Sequence, residues 1–119
     1  MDIMVIVNES PWGSSIASTA MRFVQAAHLA GNRVVAIFFK NDGIYNAQSG
    51  SMSDDGLISP ANGWCEIGRE KSTPLLLCPA ASARRFDQAL IDKLPKEFRQ
   101  AGLLEMWAIA QDCDRVVTF

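Results

Sequence analysis

The sequence predicts a three-layer αβα fold around a mainly parallel sheet of four or five strands, on the strength of three observations. The strand-like runs at residues 1–8, 33–39, 75–77 and 115–119 are largely apolar, and the first is continuous enough to suit a strand buried on both faces. Stretches with apolar residues at helical spacing lie between them, so strand and helix alternate along the chain. The 119 residues fit one domain, 1–119, and no internal repeat divides them.

Residues 1–8 form the first strand, and Pro11, Trp12 and Gly13 open a loop after it. From Ser14 onward Ile16, Ala20, Phe23, Val24, Ala27 and Ala30 recur at helical spacing, with Ser14 or Ser15 as cap and Gly31, Asn32 as stop. The run Val34, Val35, Ala36, Ile37, Phe38, Phe39 completes a right-handed βαβ unit. Residues 41–55, rich in Gly, Ser, Asn and Asp, are expected to be a mobile loop with at most one short helical turn.

Residues 57–70 are expected to be helical, with Pro60 and Gly63 weakening the first turn. Leu75, Leu76 and Leu77 make a short strand that stops at Cys78, and Pro79 takes the favoured first position of a helix over 80–86. Residues 86–100 are read as a helical turn and a connector, interrupted by Pro95. A helix over 102–112, carrying Leu103, Leu104, Met106, Trp107 and Ile109, leads to the last strand, 115–119.

Hydrophobic residues make up 49% and charged residues 20%, too apolar a balance for a chain that stays disordered. The net charge is -2 and the longest basic run is Arg84, Arg85, so the footprint of a direct nucleic-acid binder is missing. The first strand lacks a basic leader and is interrupted by Asn8 and Glu9, which argues against a signal peptide or membrane span and for a cytoplasmic protein. Cys65, Cys78 and Cys113 are odd in number and widely spaced, so reduced thiols are expected. With His28 as the single histidine, a Cys/His nucleophile pair or a histidine metal cluster lacks material.

Of the three thiols, Cys78 has the placement of a reactive group, at the carboxyl end of a strand in a parallel sheet, where ligands gather. A helix begins there too, and its unpaired N–H groups favour an anion by about 1 kcal/mol. Arg84 and Arg85, one to two turns along, are the nearest cations in sequence. Asp42, Tyr45 and Asn46 are candidates for the border of a pocket. Cys65 and Cys113 read as packing residues, and His28 as a surface or capping residue near the end of the first helix. The segment 11–15 lacks the spacing of either phosphate-loop pattern.

The segment Leu75, Leu76, Leu77, Cys78, Pro79, Ala80, Ala81, Ser82, Ala83, Arg84, Arg85 resembles the active-cysteine segment of the DsrE/TusD family. Phe38, Phe39 with Asp42, Gly43, Ile44, Tyr45 and Asn46 is similar to that family's exit from strand two. Residues 98–104 resemble its Gly-Leu helix entry, and 113–119 its last strand, so the likeness spans nearly the whole chain. It implies a sulfurtransferase subunit carrying sulfane sulfur as a persulfide on Cys78, in tRNA 2-thiouridine synthesis or dissimilatory sulfur oxidation, and hence thiol exchange, which needs no metal or organic cofactor. It also implies a heterohexamer with homologous DsrE-like subunits, or a homo-oligomer, together with a TusA-like donor and a TusE- or DsrC-like acceptor. Pro79 replaces a small aliphatic residue, Phe86 replaces a glycine, and the following segment is shorter than the family pattern. Two other readings compete: a non-catalytic subunit of such a hexamer, and a flavodoxin-like cofactor-binding module.

Overall fold

The computed structural model describes residues 1–50 and 59–119. Five strands, β1 (Asp2–Val7), β2 (Arg33–Phe39), β3 (Leu75–Leu77), β4 (Phe98–Gln100) and β5 (Arg115–Thr118), form one sheet in the order β4-β3-β2-β1-β5. Every neighbouring pair is parallel. Helices α1 (Ile16–Leu29), α2 (Pro60–Lys71), α3 (Pro79–Arg85), α4 (Gln88–Asp92) and α5 (Leu103–Gln111) make the crossings.

The hand of these crossings sets the layers. From β1 to β4 the chain steps across the sheet in one direction, so right-handed connections place α1 to α4 on one face. From β4 it returns past β1 to β5, and the same hand places α5 on the other. The cores follow: Val5, Val7, Ile37, Phe39, Leu75 and Leu77 pack with α1, α2 and α3, while Met4, Ile6, Phe38 and Leu76 pack with Met106 of α5. Alternation along β2 is broken once, where the β1–β2 register skips Val35, and Val35 and Ala36 therefore face the same layer.

In α1 the buried stripe is Ala17, Ala20, Val24 and Ala27; Ile16 and Ala30, at the ends of the predicted stripe, are exposed. Ser15 is the N-cap but its hydroxyl makes no capping bond; the Ser14 hydroxyl accepts from the Ile16 N–H at 3.4 Å. The helix closes in a Schellman motif: Gly31 takes φ +87°, its N–H donates to His28, and the Asn32 N–H donates to Ala27.

Asn41–Ala47, within the expected mobile loop, is a 3₁₀ helix with Gly43, Ile44, Asn46 and Ala47 buried; residues 51–55 of that loop lie outside the described residues. Turn-forming composition conceals this, because what anchors the segment is long-range. Gly43 lies so close to the end of β1 that a Cβ there would overlap the Val7 carbonyl oxygen. α2 begins at Pro60, in the first-turn position where a missing N–H costs nothing, so Pro60 starts the helix instead of weakening it; Leu57 lies outside the described residues.

The connector expected over 86–100 contains α4 and the fifth strand, β4. Only Phe98 of β4 is buried, and Arg99 and Gln100 are exposed, so an edge strand of three residues left no apolar run to read. Residues 98–104 combine this strand with the entry to α5. In α5 only Met106 is fully buried, while Leu103, Leu104 and Trp107 are 53%, 88% and 60% exposed.

Gly43→Ala is expected to lower unfolding stability by about 1–3 kcal/mol, the usual span for overpacking a site that cannot relax freely. The measurement is the urea midpoint, and a midpoint equal to wild type would show that the 3₁₀ helix can move off β1.

Candidate active site at the carboxyl edge of the sheet

Cys78 is the first residue beyond β3. Its N–H donates to the Phe39 carbonyl at 3.0 Å, and the Ala101 N–H donates to the Leu77 carbonyl at 2.9 Å, so pairing continues past the ends of β2, β3 and β4. Because Pro79 follows, Cys78 is kept out of the helical region (φ -65°, ψ 120°) and serves as N-cap of α3. Its carbonyl accepts two bonds from Ser82, from the N–H at 3.0 Å and from the hydroxyl at 2.9 Å. The side chain is half-buried and touches both apolar layers.

The surroundings follow from the topology. β3 hands the chain to α3 on one face and its neighbour β4 hands it to α5 on the other, so the two exits part at the carboxyl edge of the sheet. Parallel α/β sheets bind ligands at this kind of switch point. Cys78 stands on the β3 side of it and Gln100 and Ala101 on the β4 side. α3 has only seven residues, so its effect on an anion comes from the local N–H groups of Ala80 and Ala81, Pro79 having none.

Of the residues singled out in the sequence, the structure pairs Asp42 with Arg85 and sets Tyr45 against Phe86. Arg85 Nε donates to Asp42 Oδ1 at 2.8 Å, and Nη1 donates to the Ala81 carbonyl at 3.3 Å, folding the guanidinium back along α3 toward its start. Tyr45 packs between Trp12 (centroids 5.8 Å apart) and Phe86 (5.5 Å), so the phenylalanine in place of the family glycine is buried against the 3₁₀ helix. Arg84 is exposed. Asn46 points inward: its amide donates to the Glu9 and Gly43 carbonyls and accepts from the Trp64 indole, making it a brace between the first loop, the 3₁₀ helix and α2. Sequence reading passed over Ser82 and Gln100; a serine in an alanine-rich helix and a polar strand end carry no signal until the elements are assembled.

Cys65 and Cys113 both have raised thiol pKa values. Cys65 is buried, and burial pushes its thiol up to about 12, helped by the negative charge of Glu97 and by a hydrogen bond to it, with Arg69 opposing. Cys113 is also raised, first by burial and then by Asp2, Asp112 and Asp114, and its Sγ donates to the Ile109 carbonyl at 3.2 Å. Burial lowers His28, with Lys71 adding to the effect, which favours the neutral ring near the end of α1. No cluster of three or more His, Cys, Asp or Glu side chains suited to a metal ion occurs among the described residues. No helix among them is long and apolar enough to cross a membrane.

An all-parallel α/β sheet with a half-buried cysteine at its switch point defines a class of protein that presents one thiol at a strand-to-helix turn. Within that class the chain belongs to the DsrE/DsrF-like family, whose model matches residues 1–119. It is 27% identical over 128 residues to the sulfurtransferase TusD of Sodalis glossinidius (strain morsitans), covering 100% of this chain and 98% of that one. Its fold is similar to the crystal structure of the ychN protein from E. coli, with a TM-score of 0.81 at 21% identity over 100% of this chain and 99% of that one.

Two outcomes follow. Alkylation with iodoacetamide at mildly acidic pH is expected to modify Cys78 before Cys113 and Cys65, read by peptide mapping; equal labelling would show that Cys78 is no better presented than the protonated thiols. Cys65 keeps its proton to higher pH folded than unfolded, so its contribution to stability is full below the ordinary thiol pKa of about 8.5 and declines as pH rises toward about 12. Chemical unfolding of wild type and Cys65→Ala across that range is expected to show the wild type losing more stability with pH.

Proposed function

We propose that the chain is a single-domain, cytoplasmic sulfur-relay subunit that carries sulfane sulfur as a persulfide on Cys78 and hands it to an acceptor protein. The observation that carries this reading is the position of Cys78, half-buried at the switch point where β3 and β4 send the chain to opposite faces. The family membership and the relative named as a sulfurtransferase support it.

In the first step the Cys78 thiolate attacks the outer sulfur of a donor persulfide. Its lone pair forms the new S–S bond, the donor's S–S bond breaks, and the donor departs as a thiolate. An acceptor thiolate then attacks the outer sulfur on Cys78, which leaves as a thiolate in turn. Each step is thiol–disulfide exchange in its electron count and has no net oxidation or reduction. The local N–H groups of Ala80 and Ala81 at the start of α3 would meet the anionic persulfide, and Arg84 and Arg85, in the last turn of that helix, are the candidate cations, with Arg85 paired to Asp42.

The donor is a TusA-like protein and the acceptor a TusE- or DsrC-like protein, serving tRNA 2-thiouridine synthesis or dissimilatory sulfur oxidation. Homologous subunits complete the assembly. The exposed apolar strip on α5, Leu103, Leu104 and Trp107, is surface of the kind that a neighbouring subunit covers.

Intact-mass analysis after exposure to a low-molecular-weight persulfide is the test. Wild type, Cys65→Ala and Cys113→Ala are expected to gain one sulfur atom that a small thiol removes, and Cys78→Ser to gain none. Wild type that gains no sulfur, or Cys78→Ser that gains as much, would sink the proposal.

A further inference from the structure

We infer that Ser82, oriented by Gln100, is a positioning residue for the Cys78 sulfur, an inference that rests on Cys78 being the sulfur carrier. Ser82 is buried in α3, where alanine would favour the helix more and leave no hydroxyl to satisfy. A serine that bonds the carbonyl four residues back is common in helices and by itself implies nothing. Here a second bond reaches that hydroxyl from another element: Gln100 Nε2, at the end of β4, donates to Ser82 Oγ at 3.4 Å.

The consequence is directional. An oxygen that accepts from Gln100 has its own proton left to donate, and the Cys78 carbonyl receives it at 2.9 Å. The chain Gln100 to Ser82 to Cys78 thereby ties the exits of β3 and β4 to each other. Cys78 is then held on every side of its peptide. Its N–H is bound to β2, its carbonyl to two donors of α3, and its ψ is restricted by Pro79. Rotation of the side chain about χ1 is the freedom left to the sulfur. A sulfur that must be attacked, and then attack, along a defined line gains rate from such restriction, since misorientation of reacting atoms is costly.

The strength of each link sets the expected effects. The Ser82 hydroxyl bond is short, and its loss in Ser82→Ala is expected to slow Cys78 alkylation and sulfur transfer about three- to tenfold, the factor that one net hydrogen bond is worth. The Gln100 bond is long and weaker, and Gln100→Leu is expected to slow both about twofold. Helix packing alone would move neither of two further readouts. The ratio of Cys78 to Cys113 alkylation falls in both variants, and the acceptor concentration giving half-maximal transfer stays at the wild-type value while the maximal rate drops.

The experiment compares wild type, Ser82→Ala and Gln100→Leu in iodoacetamide labelling by peptide mapping and in single-turnover sulfur transfer. Wild-type rates in a folded Ser82→Ala chain overturn the inference. Should that variant fail to fold, Gln100→Leu, altered at an exposed edge position, decides alone: slowed labelling of Cys78 supports the inference and unchanged labelling overturns it. A wild-type chain that takes up no sulfur refutes the relay itself, whereas unchanged labelling in both variants refutes only the positioning role.

Discussion

The hand of the strand crossings is the constraint on which the rest of the molecule depends. Three crossings in one direction stack α1 to α4 on one face, and the long return from β4 to β5 puts α5 on the other. At the β3–β4 pair the chain therefore leaves in opposite directions. Parallel register does the remainder. Phe39, Leu77 and the residues after them come level, so the last ladder bonds reach Cys78 and Ala101 and hold both exits.

The same topology explains the uneven exterior. Four helices share the larger core, whereas α5 covers its face alone with Met106 as its one fully buried side chain. An apolar helix that buries so little of itself leaves Leu104 and Trp107 in solvent. Val116 of the short edge strand β5 is exposed as well.

Three cysteines in one small protein meet three different environments, and the environment decides the chemistry. Cys65 lies in the main core beside a carboxylate, which favours the proton twice over, by excluding water and by accepting a hydrogen bond. Cys113 lies before β5, where burial first and then the charges of Asp2, Asp112 and Asp114 oppose ionisation. Among the described residues Cys78 has no carboxylate partner, and it is half-buried. Its backbone is held from β2 and α3 while its side chain touches both apolar layers.

Strands buried on both faces, a glycine that closes α1 and a proline that opens α3 are local matters, and local chemistry wrote them plainly enough for the parallel sheet, the α1 boundary and the seat of Cys78 to be read from residues alone. Burial on one face of a helix is different: the spacing in α5 shows that a stripe exists, but only packing shows that most of it faces outward. β4 was illegible because an edge strand is held by ladder bonds to β3 and not by its own side chains. Asn46 as a brace, Arg85 against Asp42, and Gln100 on Ser82 join residues 43 and 18 positions apart, or link one asparagine to three elements. Sequence therefore determined which residue types stand at the turn, and tertiary structure decided which of them meet, because a hydrogen bond across the sheet depends on register and crossing hand that no single segment contains.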